Sequence, residues 1–207
     1  MSIYHSIMNR LNHEQRTQVL HLLCEGMSIR AVTRLTSTSK TTVMKLAADA
    51  GKAALWYQDR VFQNLPCKRL QLDEVWGFVA AKAKNANPAL KAAGEQGDAW
   101  LWIATCADSK LVPSWLVGGR DSDTAIIFTD DLQGRLANRV QITSDGHKAY
   151  LDAIATSFGG DVDYAMLIKV YGPTSEHPQR RYSPAECIGA RKERIEARPQ
   201  ACEHVLR

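Results

Sequence analysis

Two apolar runs separated by a polar stretch constrain this chain more than any other feature. The first, RLQLDEVWGFVAA (Arg69–Ala81), is rich in Leu, Val, Trp and Phe and reads as a strand buried largely on both faces. The second, AWLWIATCA (Ala99–Ala107), is an unbroken apolar strand, and the polar residues from Lys82 to Asp98 form a long hairpin loop between the two. Asp108-Ser109 is a turn, and Lys110–Val117 is a third strand ended by Gly118-Gly119. Ser122 is placed to cap a helix running to Leu136. Val140–Ser144 is a short fourth strand, followed by Asp145-Gly146, a helix to Phe158 and a fifth strand over Tyr164–Tyr171.

The order β-β-β-α-β-α-β is that of a ribonuclease-H-like mixed α/β domain. Pro66 marks its start, so the expected division is residues 1–65, a head and linker, and residues 66–207, the α/β domain. A chain of 207 residues that is 45% apolar can bury one medium core and a small accessory one. No run of eighteen apolar residues and no charged-then-apolar leader occurs, so a soluble, cytoplasmic protein is expected, with no membrane partner. Cys24, Cys67, Cys106, Cys187 and Cys202 lie far apart without a Cys-x-x-Cys pair, which points to reduced, partly buried thiols and away from zinc.

The head has a helical period. Asn12 with Gln15 forms a capping box before a stripe of Val19, Leu20, Leu22 and Leu23 that ends at Gly26. Ser28 caps a second helix with Ile29, Val32 and Leu35 inward. Ser39 caps a third with Val43, Leu46 and Ala47 inward, ending near Gly51. Residues Lys52 to Lys68 read as a connecting helix and linker. Two helices joined by the short polar turn Ser37-Thr38-Ser39, with Lys40, Thr41, Thr42 and Lys45 outward on the second, fit a helix-turn-helix. Such a motif needs polar side chains at the start of its second helix to reach bases and phosphates. A plain three-helix bundle with a solvated basic face fits the same pattern. Charge separates the regions: residues 1–72 carry ten Lys+Arg against four Asp+Glu, and residues 73–171 carry nine against thirteen. A basic head attracts a polyanion, and an acidic middle is suited to cations.

Asp73 sits within an apolar strand and Asp145 at the end of another. An unpaired buried carboxylate costs several kcal/mol, and two brought together repel unless a cation intervenes. Magnesium takes hard carboxylate oxygens and leaves positions for water and phosphate. A ribonuclease-H-like topology sets its first strand beside its fourth, and so Asp73 near Asp145. Asp145 before Gly146 also reads as an ordinary turn residue. Turn chemistry does not account for Asp73. Glu74 faces the other way, as a structural group or as support for the ligands, and Trp76, Trp100, Trp102 and Trp115 are expected in the core.

The run LDEVW (Leu72–Trp76) resembles the Asp-Glu-x-Trp motif of the insertion-sequence-one family of bacterial transposases. Further blocks are similar to the same family: LVPSWLVGGRD (Leu111–Asp121), TSDGHKAY (Thr143–Tyr150), KVYG (Lys169–Gly172) and RYSPAECIG (Arg181–Gly189). The similarity extends through Pro199. It implies a DDE-type transposase in which Asp73 and Asp145 are the first two catalytic, metal-holding acids, with Mg2+ or Mn2+ as cofactor. The partners it implies are double-stranded DNA, both the element's terminal inverted repeats and its target, with the protein acting as a homo-oligomer in a bacterial nucleoid. The family continues beyond this point into a Ser-Tyr-x-Glu-Arg motif whose Glu is the third acid. This chain reads QACEHVLR (Gln200–Arg207), with Glu203 followed by His204, so a domain incomplete at its C-terminus is expected, with impaired catalysis.

His147 is suited to a phosphate or a metal, or is simply solvated. Arg180, Arg181, Arg191, Lys192 and Arg194 fit either a DNA backbone track or a solvated charged helix. Two functions follow from the sequence: a transposase that cleaves and joins DNA, or a catalytically dead DNA-binding repressor of transposition. A ribonuclease-H-like nuclease unrelated to mobile elements is a third reading, disfavoured by the helix-turn-helix.

Overall fold

The computed structural model describes residues 10–172 and 187–196. The chain divides into two compact units, Met1–Val61 and Phe62–Arg207. The first contains α1 (His13–Cys24), α2 (Ile29–Thr36) and α3 (Lys40–Val61). Asn12 and Gln15 close the expected capping box on α1, and the Ser28 hydroxyl accepts from the Ala31 amide at the start of α2. Ser37 ends α2 in the left-handed conformation (φ 52°), and the Ser39 hydroxyl accepts from the Thr42 amide to start α3. One valine from each helix, Val19, Val32 and Val43, forms the fully buried centre, with Leu22, Leu23, Met27, Ile29 and Leu46 packed around it.

Two expectations for this unit are corrected. Leu35 is 59% exposed, because two three-residue steps from Ile29 rotate it by about 120° off the inward face. The third helix does not stop near Gly51 but runs unbroken to Val61. Gly51 keeps a helical φ, and a glycine there costs about 1 kcal/mol, too little to break a helix of this length.

The second unit is built on a six-stranded mixed sheet in the order β3-β2-β1-β4-β5-β6. Its strands are β1 (Arg69–Val79), β2 (Gly97–Cys106), β3 (Trp115–Gly118), β4 (Val140–Asp145), β5 (Val162–Tyr171) and β6 (Cys187–Glu196). A one-turn 3-10 segment (Ala83–Asn85) and α4 (Pro88–Ala92) occupy the β1–β2 loop, and α5 (Ser122–Gly134) and α6 (Ala149–Phe158) flank β4 in sequence. The strands β1, β4 and β5 are parallel neighbours, while β2, β3 and β6 run antiparallel to the strands they join. The first strand therefore lies beside the fourth. One core cluster joins α5 (Phe128, Leu132) and α6 (Tyr150, Ile154) to the inward residues of the strands, among them Leu70, Leu72, Trp102 and Ile142. Both helices thus cover the same face.

That one-sided covering corrects the reading of β1 as buried on both faces. Leu70 and Leu72 are buried, whereas Asp73 is exposed and Val75, on the same face as Asp73, is 53% exposed. Of the tryptophans expected in the core, Trp102 is fully buried and Trp100 partly so, but Trp76 and Trp115 are each 41% exposed. The third strand is shorter than expected, because Pro113 cannot donate to a ladder; the Leu111 and Ser114 carbonyls still accept from Cys106 and Ala104. The α5 cap is Asp121 rather than Ser122: its carboxylate accepts from the Thr124 amide and hydroxyl. Arg191, Lys192 and Arg194 lie on a strand, β6, paired antiparallel with β5, and not on a charged helix. Cys67 and Cys106 are buried, Cys24 and Cys187 exposed, and all four are free thiols; Cys202 falls outside the described residues. Among the described residues, no helix is long and apolar enough to cross a membrane.

Candidate functional site

The parallel β1–β4 ladder pairs Leu70 with Ile142 and Gln71 with Thr143. The ladder ends at that pair, and Asp73 and Asp145 each lie two residues past it on their own strands. Strand alternation places both on one face. Leu70, Leu72 and Glu74 of β1 and Val140, Ile142 and Ser144 of β4 point toward α5 and α6, so Asp73 and Asp145 point the other way. One oxygen of each carboxylate is held by the backbone: Asp73 Oδ1 accepts from the Glu74 amide and Asp145 Oδ1 from the His147 amide, both at 2.9 Å.

Asp145 also lines a cleft of about 460 Å³ at the carboxyl ends of β4 and β5, with Arg120, Gly146, His147, Lys148, Lys169 and Tyr171 among its other walls. Asp73 is not part of that lining. Open α/β sheets bind their ligands at the carboxyl ends of their parallel strands. Three side chains with cationic heads, Arg120, Lys148 and Lys169, ring the single acid of this cleft, which suits it to an anion held next to a cation-binding carboxylate.

Behind Asp73, on the covered face, lies a buried polar cluster. The Glu74 side chain is only 1% exposed and forms an ion pair with Arg120 at 3.2 Å. The Arg120 guanidinium also sits over the Trp100 ring, 4.7 Å from its centroid. Glu74 Oε1 and the Tyr150 hydroxyl are both buried without a well-formed hydrogen bond. Burial first, and then the Glu74 carboxylate, push the Tyr150 hydroxyl far above the usual tyrosine range. Tyr150 and His147 both pack edge-on against Trp102, at 5.4 and 5.6 Å between ring centroids. His147 Nδ1 accepts from the Ala149 amide, so a neutral ring carries its proton on Nε2. Beneath Asp145, the buried Ser144 hydroxyl meets the Tyr164 hydroxyl at 2.8 Å, and burial pushes Tyr164 up to about 12.

Close backbone approach explains the paired glycines before Arg120. A Cβ on Gly118 would stand 2.7 Å from Thr124 Cγ2, and one on Gly119 would run into the Asp121 carboxylate. Gly119 also gives its carbonyl to the Trp102 indole at 2.8 Å. The turn that delivers Arg120 to Glu74 is thus held from both sides.

Lys40, Thr41, Thr42 and Lys45 lie together on the first turns of α3 and are all exposed. Thr41, Thr42 and Lys45 share a groove of about 500 Å³ with Arg10, Arg16 and Asp49. Arg180 and Arg181 fall outside the described residues, as does Glu203. The sequence reading missed the Glu74–Arg120 pair, Lys148 and Lys169. A strict period of two along β1 is the signal that could have sent Glu74 inward.

The donor chemistry at Asp73 and Asp145 fits a hard divalent cation: two carboxylates at uncovered strand positions, each with one oxygen held by a backbone amide. Among the described residues, no group of three or more His, Cys, Asp or Glu side chains converges as a metal site.

No protein-family model matches the chain, and no curated protein does. The fold is similar to a solved structure, the cryo-EM structure of the piggyBac transposase synaptic complex with hairpin DNA, at 13% identity and a TM-score of 0.42. The match covers 84% of this chain and 46% of that one, so the chain spans less than half of that protein's length.

Proposed function

We propose that this chain is a DNA transposase of the insertion-sequence type, with a ribonuclease-H-like body and a helix-turn-helix head. What supports the reading is that Asp73 and Asp145 each follow the parallel β1–β4 ladder by two residues, at strand positions that alternate with the covered ones. In this reading, α3 presents Lys40, Thr41, Thr42 and Lys45 to the terminal repeats. The exposed position of these four residues and the shared groove with Arg10 and Arg16 support it. Asp73 and Asp145 hold Mg2+ or Mn2+, which when bound activates the attacking oxygen and stabilises the leaving one in phosphoryl transfer. Arg120, Lys148 and Lys169 draw the DNA phosphates to the cleft beside Asp145. The Asx turn from Asp145 to the His147 amide fixes that carboxylate's orientation before any ligand arrives.

The second reading is a repressor that binds the element's ends and does no chemistry. What favours it is that Asp73 and Asp145 gain no third metal-ligating side chain among the described residues. One experiment separates the two. The whole protein is incubated with labelled DNA from the element's ends in Mg2+ or Mn2+, and binding and nicking are measured together. Nicking that disappears in Asp73→Asn and in Asp145→Asn supports the transposase, and specific binding without nicking supports the repressor. Equal affinity for terminal and random DNA would remove both.

A further inference from the structure

Beyond the catalytic carboxylates, the covered side of β1 and β2 carries a stripe of aromatic rings that the proposed chemistry does not use. The antiparallel register sets Glu74 opposite Trp102, Trp76 opposite Trp100 and Phe78 opposite Asp98, all on one face. Exposure rises along the stripe, from Trp102 at 0% to Trp76 at 41% and Phe78 at 49%. The reason is topological. The third strand pairs with β2 only over Trp100–Ile103, and β4 pairs with β1 only over Arg69–Gln71, so past Trp76 the β1–β2 ribbon runs on as two strands. The exposed rings are ordered against each other, with centroids 5.7 Å apart and planes inclined at 39°.

Cations accompany the rings at both ends. The Lys82 ammonium lies 5.0 Å from the Trp76 centroid and 6.0 Å from that of Phe78. At the other end, Arg120 covers Trp100 and also lines the cleft of Asp145, so the stripe leads to that cleft. The acids near the stripe are engaged: Glu74 pairs with Arg120, and Asp98 accepts from the Ala83 amide at 2.8 Å. An apolar protein partner would match the rings but offer nothing to the Lys82 ammonium beside them. An unpaired nucleic-acid strand matches both, because it offers flat bases and a phosphate at every step, whereas a duplex keeps its base faces stacked inside.

We propose that Trp76 and Phe78 form a stacking track for an unpaired DNA strand beside the Asp145 cleft, with Lys82 neutralising a phosphate. The inference rests on the DNA-processing reading of Asp73 and Asp145. It adds that the strand near the cleft is opened and that its bases are held on protein. The flexible stem of Lys82 allows its ammonium to move from ring to phosphate when a base stacks.

The test uses the whole protein, labelled oligo-dT and a labelled duplex of the same length, with fluorescence anisotropy read in EDTA so that no cleavage occurs. Trp76→Ala and Phe78→Ala are each expected to weaken oligo-dT binding on the order of tenfold. Their duplex affinity should stay within about twofold, because stacking on bases contributes nothing there. Trp76→Phe keeps a ring and should restore most of the oligo-dT affinity, which a loss of folding in Trp76→Ala would not explain. Lys82→Ala should lower the salt dependence by about one counterion. No oligo-dT binding by the unaltered protein, unchanged binding in Trp76→Ala, or an equal loss on oligo-dT and duplex would each overturn the track. The outcome is independent of the metal chemistry. Asp73→Asn is expected to bind oligo-dT normally in EDTA, so an absence of nicking refutes the transposase reading without touching this result.

Discussion

Asp73 and Glu74 are neighbours on β1, yet strand alternation sends them to opposite faces with different fates. On the covered face Glu74 lies under α5 and α6, 1% exposed, and is held by Arg120 beside Trp102 and Tyr150. On the open face Asp73 is exposed and Asp145 half-buried, each with one oxygen accepting from a backbone amide. A buried charge must have its counter-charge built into the protein, whereas carboxylates that solvent reaches are free to take one from solution. The same residue chemistry thus serves cohesion on one face and, in the proposed function, ligand binding on the other. Exposure tells the two apart, and distance along the chain does not.

The largest effect should come from the open face and should touch function alone. Asp73→Asn and Asp145→Asn are expected to reduce metal-dependent nicking to the background of the buffer. Their unfolding free energies in urea should change by less than about 0.5 kcal/mol, since asparagine keeps the oxygen that accepts each backbone hydrogen bond. Paired unfolding curves and nicking assays check this. If either substitution destabilises the fold strongly, the contrast between the faces fails.

On the covered face the order of effects reverses. Trp102 is fully buried between Phe128, His147 and Tyr150, so Trp102→Ala should cost about 3–5 kcal/mol by urea unfolding. Arg120→Ala should cost less, about 1–3 kcal/mol. It leaves the Glu74 carboxylate buried without its cation, but Arg120 itself is 41% exposed and partly screened. Arg120→Lys tests whether charge alone suffices. A lysine cannot reproduce the planar stacking over Trp100, so recovery should be partial.

The succession of strands and helices is legible from Arg69 onward because apolar runs and polar breaks alternate cleanly there. The neighbouring of β1 and β4 follows from that order once a topology is chosen. Which side of β1 is covered is not legible: Val75, Trp76 and Phe78 are apolar on both sides of the strand, so the pattern does not separate a strand covered on one face from one covered on two. An argument from the cost of a buried acid therefore attaches to Asp73 in the sequence and belongs to Glu74 in the fold. The strand β6 is hidden for a different reason. Cys187–Glu196 is rich in charge and lacks alternation, and its strand geometry comes from backbone pairing with β5 rather than from a buried side-chain face. Arg120 and Glu74 are 46 residues apart, and only the tight turn at Gly118-Gly119 brings them together.

The smallest expected effect comes from Asp131 of α5, at the margin of the covered face. Burial raises the pKa of its carboxyl, but hydrogen bonds from Arg135 and Ser114 outweigh that and hold it below the usual carboxylate range. A depressed folded value stabilises the fold above the unfolded pKa of about 4, and that stabilisation is lost as pH falls through the folded value. Asp131→Asn should therefore be slightly less stable than the unaltered protein at neutral pH, and the gap should close as the pH drops below about 4. The side chain is 42% exposed, so solvent screening keeps the gap under about 1 kcal/mol. Thermal unfolding across that pH range measures it. A gap that persists unchanged in acid would mean that Asp131 contributes through shape and not charge, and Glu74 would then be the better of the two for comparison with Asp73.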